Sequence, residues 1–246
     1  MPDDRIPPAD GEDPTRPSRM DTRPTAIGAA LLVLGTAALS LWAWTRIPDD
    51  ARLPLHWDAS GKADRLGGKT EALTTLPVVI LVLAALLVVL PRVVPDRRRL
   101  AGSARGYNII AIGVLGLLAA IHAASVLGAV TGSVPLLRVV SAALGLFTVA
   151  LGMALPGLRP NWIAGIRTPW TLADERCWAL THRFGGRLFT AVGAILTVAA
   201  LTAPEAILMP LALAGIAGAG VIAVIYSWRV RGATSAAPRD GGSGGR

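Results

Sequence analysis

Residues 161–186 read NWIAGIRTPWTLADERCWALTHRFGG, and they form the longest polar stretch between two apolar ones. Three of the seven tryptophans lie in this stretch: Trp162, Trp170 and Trp178. Because long apolar segments lie on both sides of it, we expect the stretch to be a loop at one face of a membrane-embedded bundle.

The stretch also contains signals for a short amphipathic helix over residues 172–184. Thr171 and Asp174 have the spacing of a capping box, Pro169 precedes the cap, and Gly185 followed by Gly186 is typical of a C-terminal stop. One narrow apolar stripe at helical spacing is formed by Ala173, Cys177, Leu180 and Phe184. Such a helix cannot bury itself, so we expect it to lie in the membrane plane or against a partner.

The composition of the whole chain indicates a membrane protein. Of its 246 residues, 52% are apolar and 16% are charged, whereas soluble domains carry about 25% charged residues. The mean hydropathy is +0.53. The net charge of +8 is typical of cytoplasmic loops in membrane proteins, so direct nucleic-acid binding is not expected. Cys177 is the only cysteine, which excludes an intrachain disulfide.

Six apolar runs have the length of membrane-spanning helices. A run of about 20 residues covers roughly 30 Å of hydrocarbon at 1.5 Å per residue. The predicted spans are residues 25–44, 72–94, 108–130, 135–155, 188–202 and 206–228. The fold class predicted is therefore an all-α polytopic bundle, with the amphipathic helix added in the 157–187 loop.

The distribution of positive charge predicts the orientation. Eighteen of the 24 Lys and Arg residues fall on one side if both termini lie there, and that side should be cytoplasmic. The 46–71 loop then faces outward and the 157–187 loop inward. We divide the chain into tails at 1–24 and 229–246, which we expect to be disordered, an N-terminal membrane domain at 25–94, and a second membrane domain at 95–228.

The polar residues offer few chemical sites. His122 lies within the third span, where an ionisable group is a functional candidate; the alternative is a neutral packing histidine bonded to a carbonyl or to Ser125. His56, Asp58 and Asp64 form a weak metal candidate, and a structured turn is the alternative. No catalytic motif, metal site or cofactor site is predicted.

The inner loop has two interpretations from composition. Tryptophans beside Arg167 are typical of a contact hot spot for a partner. They are equally typical of an interfacial helix whose Trp and Arg side chains settle among lipid headgroups.

Both loops carry motifs of a known family. The inner loop resembles the SdpI family of bacterial membrane proteins through a long pattern: Asn161, Gly165, Ile166, Arg167, Thr168, Pro169, Trp170, Thr171, Leu172, Trp178, Thr181, His182, Arg183, Gly185 and Gly186. The outer loop resembles a domain of unknown function found at the start of many such proteins. The residues that carry this second likeness are Pro54, His56, Gly61 and Lys69.

This resemblance implies a non-catalytic protein of the bacterial plasma membrane. Such proteins are associated with immunity to a secreted peptide toxin, and the best-known type also holds a cytoplasmic transcriptional repressor at the membrane. The expected partners are thus the lipid bilayer, a toxin that contacts the outer loop or the bundle from outside, and a repressor at the inner loop. An alternative from another class is a small transporter or channel-like bundle that uses His122.

Overall fold

The computed structural model describes residues 20–58, 62–94 and 100–231. It contains six long helices: α1 (Arg23–Trp44), α2 (Lys69–Val93), α3 (Ala104–Thr131), α4 (Leu136–Ala154), α6 (Glu175–Thr202) and α7 (Glu205–Val230). The shorter elements are strands β1 (Arg52–Trp57) and β2 (Ala63–Gly68), a 3-10 turn (Leu155–Gly157) and helix α5 (Pro169–Ala173).

The prediction of a six-span membrane bundle is confirmed. All six long helices are long and apolar enough to cross a membrane. Five predicted spans agree with the observed helices to within a few residues at each end. Most of the predicted tails, residues 1–19 and 232–246, lie outside the described part of the chain.

The separate in-plane helix predicted over residues 172–184 is wrong. Helix α5 ends at Ala173, and Asp174 then starts α6 as its N-cap, accepting a hydrogen bond from the Cys177 amide at 2.6 Å. Helix α6 continues without a break through Gly185 and Gly186, so the fifth span starts 13 residues earlier than residue 188. The predicted stripe is therefore the first half of a membrane helix.

The two glycines serve close packing instead of helix termination. A Cβ on Gly186 would lie 2.7 Å from the carbonyl oxygen of Gly152 on α4. One on Gly193 would lie 2.6 Å from the carbonyl oxygen of Gly145. The two helices thus meet at paired glycines seven residues apart, the close approach that small residues permit between membrane helices. The glycines that predicted the end of a helix instead allow close contact between helices.

The 46–71 loop contains an antiparallel β-hairpin that adds to the predicted all-helical fold. Strand β1 pairs with β2 so that Pro54 faces Leu66 and His56 faces Arg65, which leaves Leu55 as a bulge. Leu55 packs directly over Gly67, where a Cβ would collide with its side chain. Proline is tolerated here because a two-stranded sheet consists only of edge strands.

The helices form two groups. Helices α1, α2 and α3 pack around a core of Ala29, Ile80, Ala84 and Leu115. Helices α4, α6 and α7 pack together, and α3 joins the two groups by contacting α4. We call the end with β1 and β2 the hairpin end, and the end with residues 158–174 the loop end.

Candidate functional site

A buried tryptophan–histidine pair organises the loop end. The Trp178 and His182 rings stack with centroids 3.9 Å apart and planes 18° apart. The indole N–H of Trp178 donates to the Leu158 carbonyl at 2.7 Å. Both side chains are at most 2% exposed. They lie one helical turn apart on α6, so the start of this helix holds the preceding loop in place.

Hydrogen bonds define the tautomer of His182. Its Nε2 accepts from the Ile166 amide at 3.0 Å, while its Nδ1 lies 2.9 Å from the Trp178 carbonyl oxygen. A nitrogen that accepts carries no proton, so Nδ1 is the donor and the ring is neutral. Gly165 has φ +119°, and a Cβ there would collide with His182 Nε2. Glycine is therefore required beside the histidine.

Asn161 closes the first turn of the loop. Its Oδ1 accepts from the amides of Ile163 at 2.8 Å and Ala164 at 2.9 Å. Its Nδ2 donates to the Arg159 carbonyl at 2.7 Å. Because Asn161 is only 4% exposed, these bonds satisfy the amide inside the protein and stabilise the turn.

Two threonines fix helix α5, and they correct the predicted capping box. Thr168, not Thr171, is the N-cap, and Thr171 is the third helical residue whose hydroxyl accepts from the Thr168 amide at 2.9 Å. The Thr171 hydroxyl also lies 2.9 Å from the Ile166 carbonyl, to which it donates. Pro169 takes the first helical position, where its missing N–H has no cost.

An aromatic and cationic cluster joins the loop to α7. The Trp170 indole N–H donates to the Ser227 hydroxyl at 2.9 Å. The Arg231 guanidinium lies 4.7 Å from the Trp228 ring and 5.4 Å from the Trp170 ring. These contacts place the loop helix against the end of the last membrane helix.

Most of the predicted inner-loop site residues are buried. Those with little exposed surface are Asn161, Thr168, Thr171, Trp178, Thr181, His182 and Gly185. Arg167 and Pro169 are exposed, while Gly165 and Trp170 are half-buried. The buried members maintain the loop conformation, and only the remaining members are accessible to a partner.

One accessible residue was missing from the predicted site. Trp162 is 71% exposed, and the Arg167 guanidinium donates to its carbonyl oxygen. The signal was present in the sequence, because this tryptophan sits in a polar segment with no apolar periodicity around it. Trp162 and Arg167 both lie on the exposed face of the loop.

At the hairpin end, Lys69 connects α2 to the end of α1. Its ammonium lies 2.7 Å from the Asp49 carboxylate and 5.1 Å from the Trp44 ring centroid. The hydrogen bond and charge of Lys69 hold the pKa of Asp49 below its ordinary value of 3.8. Lys69 itself is buried, so this cation needs its partner.

The other outer-loop motif residues lie on the hairpin. Pro54 and His56 are both on β1, and His56 Nδ1 lies 2.6 Å from the Asp64 carboxylate on β2. Gly61 lies outside the described residues. Across residues 20–58, 62–94 and 100–231, no three His, Cys, Asp or Glu side chains are grouped to hold a metal ion.

His122 belongs to a node that joins three helices. Its Nε2 lies 2.9 Å from the Ser40 hydroxyl on α1, and that hydroxyl donates to the Leu73 carbonyl on α2 at 2.7 Å. A hydroxyl that donates its proton elsewhere accepts from the imidazole, so Nε2 carries a hydrogen. Ser125, the predicted partner, instead donates to Ile121 at 2.8 Å.

A cavity of about 340 Å³ lies beside this node. It is bounded by the hairpin, by α2 and α3, and by the first residues of α4, with Met209 of α7 also lining it. The volume falls within the range of about 300–1,000 Å³ that small-ligand sites occupy. His122 and Ser125 of α3 are among its polar lining residues.

These features define the class of the protein as a multi-pass helical membrane protein with an ordered loop at one end and a hairpin at the other. Residues 157–227, which include the whole loop, α6 and most of α7, match the SdpI/YfhL protein family. Residues 31–81, which include the hairpin, match a domain of unknown function, DUF1648.

A curated relative supports the first match. Over 71 residues the chain is 31% identical to "Immunity protein SdpI" of Bacillus subtilis (strain 168), which covers 29% of this chain and 34% of that protein. The match thus spans about a third of the relative's length. No solved structure matches the chain. The resemblance drawn from the two loops is therefore confirmed for these two segments.

Proposed function

We propose that this protein is a non-catalytic, SdpI-like immunity protein that protects its cell from a secreted peptide toxin. The observation that carries the proposal is the match of residues 157–227 to the SdpI/YfhL family. The order of the two matched segments along the chain adds support. The hairpin follows the first span and the loop follows the fourth, so the two lie at opposite ends of one bundle.

We place the loop end in the cytoplasm and the hairpin end outside. The predicted inner side holds eighteen of the 24 basic residues, and cytoplasmic segments are the ones enriched in Lys and Arg. The toxin would then meet the hairpin end. The loop end would relay its presence to a cytoplasmic partner, for which a transcriptional repressor is the leading candidate.

The exposed surface of the loop gives this relay a specific form. Trp162 and Arg167 are exposed on a loop whose conformation is fixed by buried hydrogen bonds. Tryptophan and arginine are among the residues most enriched at contact hot spots, so an exposed tryptophan beside an arginine is a suitable contact pair. The buried motif residues would act by positioning this pair.

Immunity is tested by expressing the chain in a sensitive host and exposing it to the toxin that SdpI-type proteins neutralise. We expect survival well above that of cells with an empty vector. Equal killing of the two cultures would contradict the proposal, provided that membrane fractions contain the folded protein.

Relay is tested separately with a fluorescent fusion of the candidate repressor. We expect it to move to the membrane with the wild-type chain and with Arg176→Ala, an exposed arginine outside the predicted site. Arg167→Ala should leave it in the cytoplasm. Recruitment by both variants would exclude Arg167 as a contact.

The transporter alternative retains one observation, which is that His122 lines a cavity. Solute flux through proteoliposomes that disappears in His122→Ala would favour it. The bonding of His122 to Ser40 favours a packing role instead.

A further inference from the structure

Two arginines of helix α6 lie side by side without an acidic partner. Arg183 and Arg187 are one helical turn apart, and both are exposed. Among the described residues, neither guanidinium forms an ion pair or a hydrogen bond. Residues 176–202 of α6 and 206–231 of α7 contain no Asp or Glu. Because like charges at this spacing repel each other, the described part of the chain leaves this pair in need of an anion.

The packing of α6 against α7 shows the depth of the pair. A Cβ on Gly185 would lie 3.7 Å from the Cβ of Ala223, so residues 183–187 lie beside residues 221–225. At that level α7 exposes four aliphatic side chains: Val221, Ile222, Val224 and Ile225. The exposed Trp228 is typical of a membrane interface. At 1.5 Å per residue, the pair lies about 5 to 10 Å deeper than this tryptophan.

The direction of α6 allows both arginines to reach the lipid headgroups. Helix α6 starts at the loop end, and the side chains of a helix lean toward its N-terminus. Arg183 and Arg187 therefore lean out of the hydrocarbon toward the interface, with their stems in apolar surroundings. A charge at this depth is costly unless it is paired. Phosphate oxygens at the interface are acceptors that a guanidinium binds with two parallel hydrogen bonds.

The same face of α6 continues as an apolar surface deeper in the membrane. At steps of four, four and three residues after Arg187 it carries Ala191, Ile195 and Val198. All three are exposed. Two cations at the interface above an aliphatic stripe match the shape of a phospholipid, in which a phosphate lies above acyl chains.

We propose that this face of α6 binds an anionic glycerophospholipid. Arg183 and Arg187 hold its phosphodiester group, and the aliphatic residues below them take an acyl chain. A zwitterionic lipid is disfavoured because its own ammonium group would meet two cations. Arg183 directly follows His182, which holds the loop through the Ile166 amide, so the bound lipid would support the helical segment on which the loop rests. This site does not depend on the proposed immunity function.

Binding is measured by native mass spectrometry of the full chain in neutral detergent. The probes are phosphatidylglycerol and phosphatidylcholine with the same acyl chains. We expect phosphatidylglycerol to bind at least about fivefold more tightly, since a basic residue near the interface contributes roughly this factor. Equal affinity for the two lipids would overturn the anionic assignment. Displacement of the lipid by an equal concentration of soluble glycerol phosphate would overturn the role of the aliphatic stripe.

Three single variants of α6 locate the site. Arg183→Gln and Arg187→Gln should each weaken binding of phosphatidylglycerol by about fivefold. Arg176→Gln removes the same charge from the exposed start of the same helix and should leave the affinity unchanged. Equal weakening in all three folded variants would show a general effect of charge and overturn the site.

The depth of the pair is measured independently with nitroxide labels in nanodiscs, after Cys177→Ser removes the native thiol. A label at Arg187→Cys should be more accessible to oxygen than to a water-soluble nickel chelate, because oxygen concentrates in the hydrocarbon. A label at Arg176→Cys should show the opposite preference. The same preference for the chelate at both positions would place Arg187 in water and overturn the proposal.

Discussion

At the loop end, seven of the eleven residues predicted as a partner site are buried, whereas at the hairpin end His56 pairs with Asp64, and Arg65 with Glu71, on the exposed surface. In the loop, the polar side chains of Asn161 and His182 form hydrogen bonds to the loop's own backbone. In the hairpin, polar side chains lie at the edge of a cavity. The residues of a sequence motif can therefore be the buried ones that maintain the conformation of a loop. The residues available for contact with a partner can be neighbours that the motif does not include.

The sharpest test of this contrast compares two tryptophans of the loop end. Trp178→Ala removes a buried ring, its stack on His182 and its hydrogen bond to Leu158, so we expect a loss of about 3–5 kcal/mol in the free energy of unfolding. Unfolding of the reconstituted protein by a denaturing detergent measures this. Trp162→Ala is the matched control, and it should cost less than about 0.5 kcal/mol because the side chain is exposed. Equal losses of unfolding free energy in the two variants would contradict the distinction between tryptophans that maintain the loop conformation and tryptophans that are available for contact.

The helix contact behind the loop gives the next effect. Gly186→Ala should destabilise the protein by about 1–3 kcal/mol, because its methyl group would meet the Gly152 carbonyl of α4. In Gly218→Ala the methyl group meets nothing within 4 Å, so that variant should gain about 0.4–1 kcal/mol. The same unfolding assay compares the two. A stabilising effect of Gly186→Ala would show that α4 and α6 are not in close contact.

A smaller effect is expected at the hairpin end from the node around His122. Ser40→Ala removes the hydroxyl that joins His122 to the Leu73 carbonyl, and we expect a loss of about 1–2 kcal/mol from the unpaired groups. Thr74→Ala provides the control, since its exposed hydroxyl bonds only to its own helix at Thr70. If the two variants are equally stable, the node does not hold the three helices together.

The smallest effect concerns pH. The pKa of Asp49 is lower in the folded protein than its ordinary value of 3.8, so its pairing with Lys69 contributes stability above that pH and loses it as the pH falls through the folded value. Asp49→Asn should reduce the fall in Tm between neutral pH and pH values below 3.8. Asp50→Asn, which lacks this partner, should keep the wild-type profile. Identical profiles for all three proteins would exclude the pair as a source of acid sensitivity.

The sequence predicted the existence of all six spans and the bounds of five, because hydropathy and length are sufficient to identify membrane helices. The prediction from sequence was wrong where the role of a residue depends on a neighbour that is distant in the chain. Gly185 and Gly186 resemble a helix stop until Ile166 of the loop is placed against the first and α4 against the second. The N-cap was assigned to Thr171 because this threonine precedes an apolar-periodic run. In the structure two helices start here, one capped by Thr168 and the next by Asp174.

The candidate site was predicted in part. The loop residues were identified from the sequence, but their burial could not be predicted. It depends on hydrogen bonds across the loop, in which the Leu158 carbonyl accepts from Trp178 and the Ile166 amide donates to His182. The cavity was not predicted at all, because its walls come from four helices and a hairpin. His122 was expected to be a packing histidine or a functional one, and its bond to Ser40 places it in a structural node.

The orientation of the bundle is the premise on which the two proposed roles depend. It is tested by labelling single-cysteine proteins in intact cells with a membrane-impermeant maleimide, after Cys177→Ser removes the native thiol. We predict that Trp162→Cys reacts only after the membrane is permeabilised, while Asp50→Cys reacts in intact cells. The reverse pattern would place the loop outside and contradict the assignment of toxin and repressor to the two ends.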